Sequence, residues 1–241
     1  RFPQISLWDN IACQYRLLTE HLGVEHIALV TGWSMAGCQA YQWAAQYPDF
    51  VNAILPFCAS AKTSTHNHVF LEGVKAALCA DGHWDSGNYS TPPIAGLKAF
   101  ARVYAGWAFS QTFYREGLYK EIGFESVEDL LRDWETDHVE NWDANNLLAK
   151  LNTWQSSDIS TGPLYNGDLH HALRSIKAKT IIMPCAQDLY FPPEDNEIEA
   201  EFIADVELRV YDSPWGHCAA NPGNDPGFTA ALEQSIRDLL V

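Results

Sequence analysis

Residues 26 to 45 read His26-Ile27-Ala28-Leu29-Val30-Thr31-Gly32-Trp33-Ser34-Met35-Ala36-Gly37-Cys38-Gln39-Ala40-Tyr41-Gln42-Trp43-Ala44-Ala45. The apolar run up to Gly32 has the length and β-branched content of a buried strand, and the alanine-rich run after Ser34 has helical character. Ser34 therefore falls on the turn between them. A sharp strand-to-helix turn forces the central residue into a sparsely allowed backbone region and leaves room only for small neighbours two positions away, here Gly32 and Ala36. The common form of this turn ends in glycine; here alanine takes that place and Gly37 follows. Such an elbow lifts a serine hydroxyl out of the sheet edge and turns the Met35 backbone N–H, at the helix start, toward the same space as an oxyanion donor.

Outward from the elbow the chain alternates strand and helix. Upstream, apolar positions between Asn10 and His21 form a helical stripe, with Asp9 as the expected N-cap and Gly23 as the stop. Downstream, Tyr47-Pro48-Asp49 breaks the helix and Val51–Ala59 reads as a second buried strand of the parallel kind. The alternation lapses from about Ala61 to Arg174, where helices are expected around Val69–Ala80, Gly96–Glu116, Val127–Val139 and Asn145–Thr153. It resumes with a strand over Thr180–Ala186, a helix over Glu197–Ala204, a strand over Val206–Tyr211 and a last helix over Pro226–Leu240. The expected architecture is an α/β core, residues 1–60 and 175–241, with a mostly parallel sheet, and a helical cap inserted at 61–174 over the carboxyl ends of the strands.

Bulk properties narrow the function classes. The 241 residues suffice for one catalytic domain with an insertion, and 31 acidic against 15 basic side chains give a formal charge of −16. That charge argues against nucleic acid or an anionic membrane as partner. No run reaches the length of a membrane span and no basic-then-apolar leader opens the chain, so a cytoplasmic location is the expectation. Cys13, Cys38, Cys58, Cys79, Cys185 and Cys218 show no C-x-x-C spacing, which favours free thiols over a disulfide frame or zinc site. The histidines at 66, 68, 83, 138, 170 and 171 share no ligand spacing, and no metal is expected. Small-molecule acyl donor and acceptor are the expected partners, with a homodimer through the cap left open.

A nucleophilic serine needs a base within hydrogen-bond reach and a buried acid to fix that base. Asp188 follows the strand ending at Ala186, and His217 follows the strand ending at Tyr211. The order Ser34, Asp188, His217, each just past the carboxyl end of a predicted strand, is that of the α/β-hydrolase fold. Asp212 is the rival acid.

The chain also resembles the homoserine O-acetyltransferase family. The matching residues are Phe2-Pro3, Asp9-Asn10, Leu17-Leu18 and Leu22-Gly23, then the elbow Gly32-Trp33-Ser34-Met35-Ala36-Gly37. Gly87-Asn88-Tyr89, Gly96-Leu97, Ala101-Arg102, Trp142-Asp143-Ala144-Asn145 and the closing Asp188 with Gly216-His217 follow in matching order. The resemblance implies an α/β-hydrolase-fold acyltransferase that passes an acyl group from coenzyme A to a hydroxyl through an acyl-serine, with acyl-CoA as co-substrate and no resident cofactor. It implies Ser34 as nucleophile, His217 as base, Asp188 as its acid and Arg102 as the partner of the acceptor's carboxylate. Asp143 and Asn145 match a cleft-shaping stretch, with capping chemistry as the alternative.

The departures fall at the acceptor site. Trp33 and Ala36 stand where the family has glycines, Cys218 replaces an acidic residue after the catalytic histidine, and Leu147 replaces a hydroxyl-bearing residue. A site that loses polar partners loses discrimination, so a preference for homoserine is not expected. The family's early strands and its second oxyanion donor have no counterpart here, and the chain opens on Arg1 rather than Met. Both point to a partial chain in which the strand before the elbow has a bare edge. Two further readings stay open: an esterase using water as acceptor, and a non-catalytic binding module on the same fold.

Overall fold

The computed structural model describes residues 3–241; Arg1 and Phe2, the latter part of the Phe2-Pro3 match, lie outside the described residues. Four parallel strands, β1 (Val30–Trp33), β2 (Ala53–Phe57), β3 (Lys179–Ile182) and β4 (Val206–Leu208), lie side by side in chain order. Val30 pairs with Ile54, Ile54 with Thr180, and Ile181 with Glu207. Each strand is shorter than its apolar run. The outer residues continue the ladders as single bridges, Ile27 to Val51, Phe57 to Met183 and Cys185 to Tyr211.

The period of two divides the core. Ala53, Leu55 and Phe57 on β2, with Ile181 on β3, face one layer, while Ile54 and Ile182 face the other. The second layer holds α1 (Leu7–Arg16) and α2 (Met35–Gln46), the helix that leaves the elbow. α1 begins one turn earlier than expected. Its N-cap is Ser6, whose hydroxyl accepts from Asp9 N–H while Asp9 accepts from Ser6 N–H, so Asp9 is the third residue of a capping box and not the cap.

Between β2 and β3 run α3 (Thr65–Cys79), α4 (Ile94–Ala108), α5 (Gln111–Glu116), α6 (Val127–Asn141), α7 (Ala144–Gln155) and α8 (Leu169–Arg174). The single helix expected over Gly96–Glu116 is two, because Ser110 leaves helical geometry to accept from Phe113 N–H and to donate its hydroxyl to the Pro214 carbonyl. α3 to α7 pack with the first layer of the core. Ile159, Tyr165, Ala172 and Leu173, leading into and along α8, pack with the second layer beside Tyr41 and Ile54. In packing terms the covering helices thus end near Gln155, ahead of the expected boundary at 174.

Past β3 comes α9 (Pro193–Ala200), which starts four residues ahead of its expected position because Pro193 is preset for the first helical turn. α10 (Pro226–Leu240) closes the chain, capped by Asp225. No helix among the described residues is long and apolar enough to cross a membrane.

Candidate active site

Ser34, Asp188 and His217, the residues expected to carry the chemistry, all follow the ends of strands. Ser34 follows β1 directly, with φ 58° and ψ −126°, a region an L-residue enters only under constraint. Two contacts hold it there: its N–H donates to the Phe57 carbonyl at 3.2 Å, and its carbonyl accepts from Cys38 N–H at 3.0 Å as the first turn of α2. A Cβ built on Gly32 would come within 2.5 Å of the Ala36 carbonyl carbon and 2.6 Å of the Ala36 methyl. The methyl of Ala36 fits because Gly32 has none. A Cβ on Gly37 would overlap the Ala59 methyl, so the helix can lie this close to the sheet only with glycine there.

Asp188 and His217 arrive from the ends of β3 and β4 and meet in the interior, 3 % and 6 % exposed. His217 Nδ1 lies 2.7 Å from Asp188 Oδ2, while Asp188 Oδ1 accepts from the backbone N–H groups of Tyr190 (2.7 Å) and Phe191 (3.1 Å). The carboxylate is thus held from both sides. Tyr190 and Phe191 also wall the imidazole, at 4.8 and 5.6 Å between ring centres. Asp212 takes no part; its Oδ1 accepts from the Gln187 amide at 2.9 Å.

The indole of Trp33, next to Ser34, lies 5.2 Å from the His217 ring, which brings the base beside the elbow. Among the described residues the Ser34 hydroxyl makes no hydrogen bond to His217. That link is often long in enzymes without substrate.

Cys58, itself at φ 46° just past β2, brings its Sγ into the same space, where it, Asp188 and His217 offer atoms within 4.8 Å of one another. As a metal set the trio fits poorly. Burial, reinforced by the Asp188 charge, pushes the Cys58 thiol well above its usual range, so it is a neutral thiol, and the acid and base are already joined to each other.

Ser34 opens into a cavity of about 710 Å³. One wall is apolar: Leu71 from α3, with Leu147, Leu151 and Trp154 from α7. The facing wall, from α4 and α6, carries Tyr104, Trp134 and His138, and the exposed carboxylates of Asp133, Asp137 and Glu140 stand at its mouth. Lys150 also lines the cavity, its ammonium 4.0 Å above the Trp142 ring. Trp33, Met35 and Leu147 border this space; Arg102 and Cys218 do not.

Arg102 is a correction to the sequence reading. Its guanidinium donates to both Glu128 oxygens, at 2.8 and 3.1 Å, and through Nε to Glu135, so it clamps α4 to α6, and it is not among the residues lining the cavity. Cys218 packs among apolar side chains in the turn that carries His217, and burial, then the Asp188 charge, pushes its thiol up to about 12. It is neutral and turned to the core. Asp143 caps α7 through Asn146 N–H and accepts from the Tyr89 hydroxyl, and the Asn145 amide donates to the Gly87 carbonyl at 3.0 Å. The pair ties the loop between α3 and α4, through Gly87 and Tyr89, to α7, which is the capping alternative.

The sequence reading missed the contacts of Tyr190 and Phe191 with Asp188, and it did not single out His138 from the other histidines as the one lining the cavity. Asp-Leu-Tyr-Phe reads as a turn until the carboxylate is seen to need its N–H groups. His138 lies on an otherwise acidic helix and has no motif.

The family model for the alpha/beta hydrolase fold matches residues 4–220. The chain belongs to the α/β-hydrolase family. The ethyl acetate hydrolase of Pseudomonas veronii is 35% identical over 99% of this chain, which covers 68% of that protein. The homoserine O-acetyltransferase of Trichormus variabilis is 31% identical over 90% of this chain, which covers 61% of it. Among solved structures, the acetyl esterase MekB superposes with a TM-score of 0.94 at 34% identity, with 99% of this chain and 69% of that chain covered. This α/β-hydrolase is an enzyme whose relatives carry both esterase and acetyltransferase names, at similar distance.

Proposed function

We propose that this α/β-hydrolase is a carboxylic-ester hydrolase working through an acyl-enzyme on Ser34, with water as the acceptor. His217 takes the Ser34 proton through Nε2, and Asp188 keeps the other ring nitrogen protonated and balances the imidazolium charge. The serine oxygen adds to the ester carbonyl while the Met35 N–H faces the oxyanion. The carbon–oxygen bond to the alcohol breaks as His217 returns the proton to that oxygen. Water then repeats the cycle on the acyl-serine and releases the acid.

The observation that carries the choice of water is the engagement of Arg102 by Glu128 and Glu135. An amino-acid acceptor needs a partner for its carboxylate, and the arginine matched to that task is already neutralised. Leu147 in place of a hydroxyl points the same way, as do the names of the relatives at 34 and 35% identity. The mouth adds a physical argument: Asp133, Asp137 and Glu140 outweigh the ammonium of Lys150, so the lining is net negative, which opposes a polyanionic donor such as coenzyme A and leaves a neutral ester unopposed.

Acyl transfer to an alcohol shares the same acyl-enzyme, and the 31%-identical acetyltransferase keeps it as the second reading. A non-catalytic module has less support, since serine, base and acid are all at the strand ends.

The test is quenched mass spectrometry of the Ser34 peptide in the full-length protein, with ethyl acetate in one arm and acetyl-CoA plus L-homoserine in the other. Acetylation of Ser34 by the ester, discharged to water, is expected. Ser34→Ala should lower turnover on the order of 10⁴-fold or more with the fold intact. Acetylation by acetyl-CoA alone, with homoserine favoured over water by about a thousandfold, would establish the transferase instead.

A further inference from the structure

His138 is nine-tenths buried, yet it lines the same cavity as Ser34. Its Nδ1 lies 2.8 Å from the Trp134 carbonyl one turn back on α6. A carbonyl only accepts, so Nδ1 carries the hydrogen. Burial holds the ring below the usual histidine range, which leaves the imidazole neutral at pH 7. In a neutral ring with hydrogen on Nδ1, Nε2 is a bare acceptor. That atom has no hydrogen-bond partner among the described residues, and it is not one of the buried polar atoms sealed from solvent.

The neighbours on this wall give it direction. The rings of Phe100, Tyr104 and Trp134 hold the imidazole at 5.6, 6.5 and 6.0 Å, so it has little freedom to turn. The opposite wall carries the methyl groups of Leu71, Leu147 and Leu151 and the indole of Trp154, whose buried N–H can only donate. A substrate in the cavity thus meets apolar surface together with the fixed acceptor of His138, beside the polar side chains of Tyr104, Thr136 and Asn141. Because the alcohol part of an ester leaves after the first step, it belongs on the side of the open mouth, which is the α6 side with Asp133, Asp137 and Glu140. Those carboxylates also accept and do not donate.

We infer that His138 is a specificity residue that accepts a hydrogen bond from the alcohol part of the ester, so that the preferred substrates are uncharged esters whose alcohol carries a second hydroxyl. This rests on the hydrolase reading and names the substrate class for that site. A buried acceptor left unpaired opposes an apolar ligand, so the discrimination comes as much from rejecting plain alkyl esters as from welcoming hydroxylated ones.

The test compares 2-hydroxyethyl acetate with propyl acetate, which have the same number of heavy atoms. The quantity read is the ratio of their kcat/KM values, in the parent protein and in variants. The two alcohols differ in intrinsic leaving ability, and comparing ratios between proteins cancels that difference. His138→Phe and His138→Leu remove the acceptor in two shapes, and His138→Gln restores one on a flexible stem. The parent ratio should exceed that of the Phe and Leu variants by about three- to tenfold, expressed in KM, with the Gln variant recovering part of it. An equal ratio in the parent and in whichever of the Phe and Leu variants folds would overturn the inference while leaving the hydrolase reading intact. Dissociation constants of the same two esters on the Ser34→Ala protein, read by fluorescence of the cavity tryptophans, give a second measure. If neither ester is turned over, the hydrolase reading fails and this binding ratio still decides the role of His138.

Discussion

Replacing Asp188 by asparagine tests the base and its acid together, because the structure dictates which way the new amide must face. The carboxylate uses one oxygen on two backbone N–H groups, of Tyr190 and Phe191, and the other on His217 Nδ1. An amide has only one oxygen. Facing it toward His217 would point its NH₂ at two buried N–H donors, each costing about 1–3 kcal/mol when left unpaired, or about 2–6 kcal/mol together. Facing it toward the backbone keeps both of those bonds and points NH₂ at Nδ1, which must then be the bare nitrogen of the imidazole. The second orientation wins. At about 1.4 kcal/mol per factor of ten, the productive orientation falls to roughly one molecule in thirty at one limit and one in twenty thousand at the other. The remaining molecules carry hydrogen on Nε2 and have no lone pair for the serine. Loss of the carboxylate's charge beside the imidazolium adds to this, and turnover of p-nitrophenyl acetate should fall on the order of 10⁴-fold with folding unchanged. The nitrogen-15 shifts of the His217 ring report the tautomer directly. Turnover within about tenfold of the parent, with hydrogen still on Nδ1, would refute the argument, since a 10⁴-fold loss is what the wrong tautomer entails. Asp212→Asn is the control; it disturbs only the exposed bond to Gln187 and should leave turnover little changed.

Two further outcomes follow from groups outside the reacting atoms. Glu199 on α9 is wholly buried, accepts from Ala61 N–H at 2.7 Å and the Asn196 amide at 3.0 Å, and burial pushes its carboxyl from 4.5 up to about 7. A carboxyl raised on folding contributes stability that is full below its unfolded pKa and is lost as pH rises through the folded one. The stability of the parent relative to Glu199→Gln should therefore fall by about 2–3 kcal/mol between about pH 5 and pH 8, and urea unfolding at the two pH values showing no such difference would remove Glu199 as the cause. Arg102→Met should lower thermal stability by on the order of 1 kcal/mol through loss of the α4–α6 clamp. It should leave KM for a neutral ester unmoved; a rise in KM confined to carboxylate-bearing acceptors would return Arg102 to the site.

What was legible in the chain follows from backbone periods, and what was not follows from the packing of helices. The strands around Ser34 announce themselves because both faces of the sheet are covered, so Ile54, Leu55, Ile181 and Ile182 read as unbroken apolar runs. Parallel strands put every following loop at one edge, and order along the chain pointed to Ser34, Asp188 and His217, of which the last two pair at 2.7 Å. The choice of Asp188 over Asp212 rested on the same rule, and the structure gives its reason in the two N–H groups that Tyr190 and Phe191 turn back on the carboxylate.

The facing wall had no such rule. Arg102 keeps its identity from the resembling family, yet its role is set by glutamates 26 and 33 positions later, on a helix whose rotation no local pattern fixes. α6 reads as an acidic, solvated helix, which conceals that its Trp134 and His138, one turn apart, line the same cavity as Ser34. The residue proposed to select the substrate thus sits on the element with the weakest sequence signal. On the proposal made for His138, a change at 138 redirects the substrate while every residue of the elbow stays as it is. The elbow variants should move turnover for every ester alike, whereas the His138 variants should move the ratio between esters.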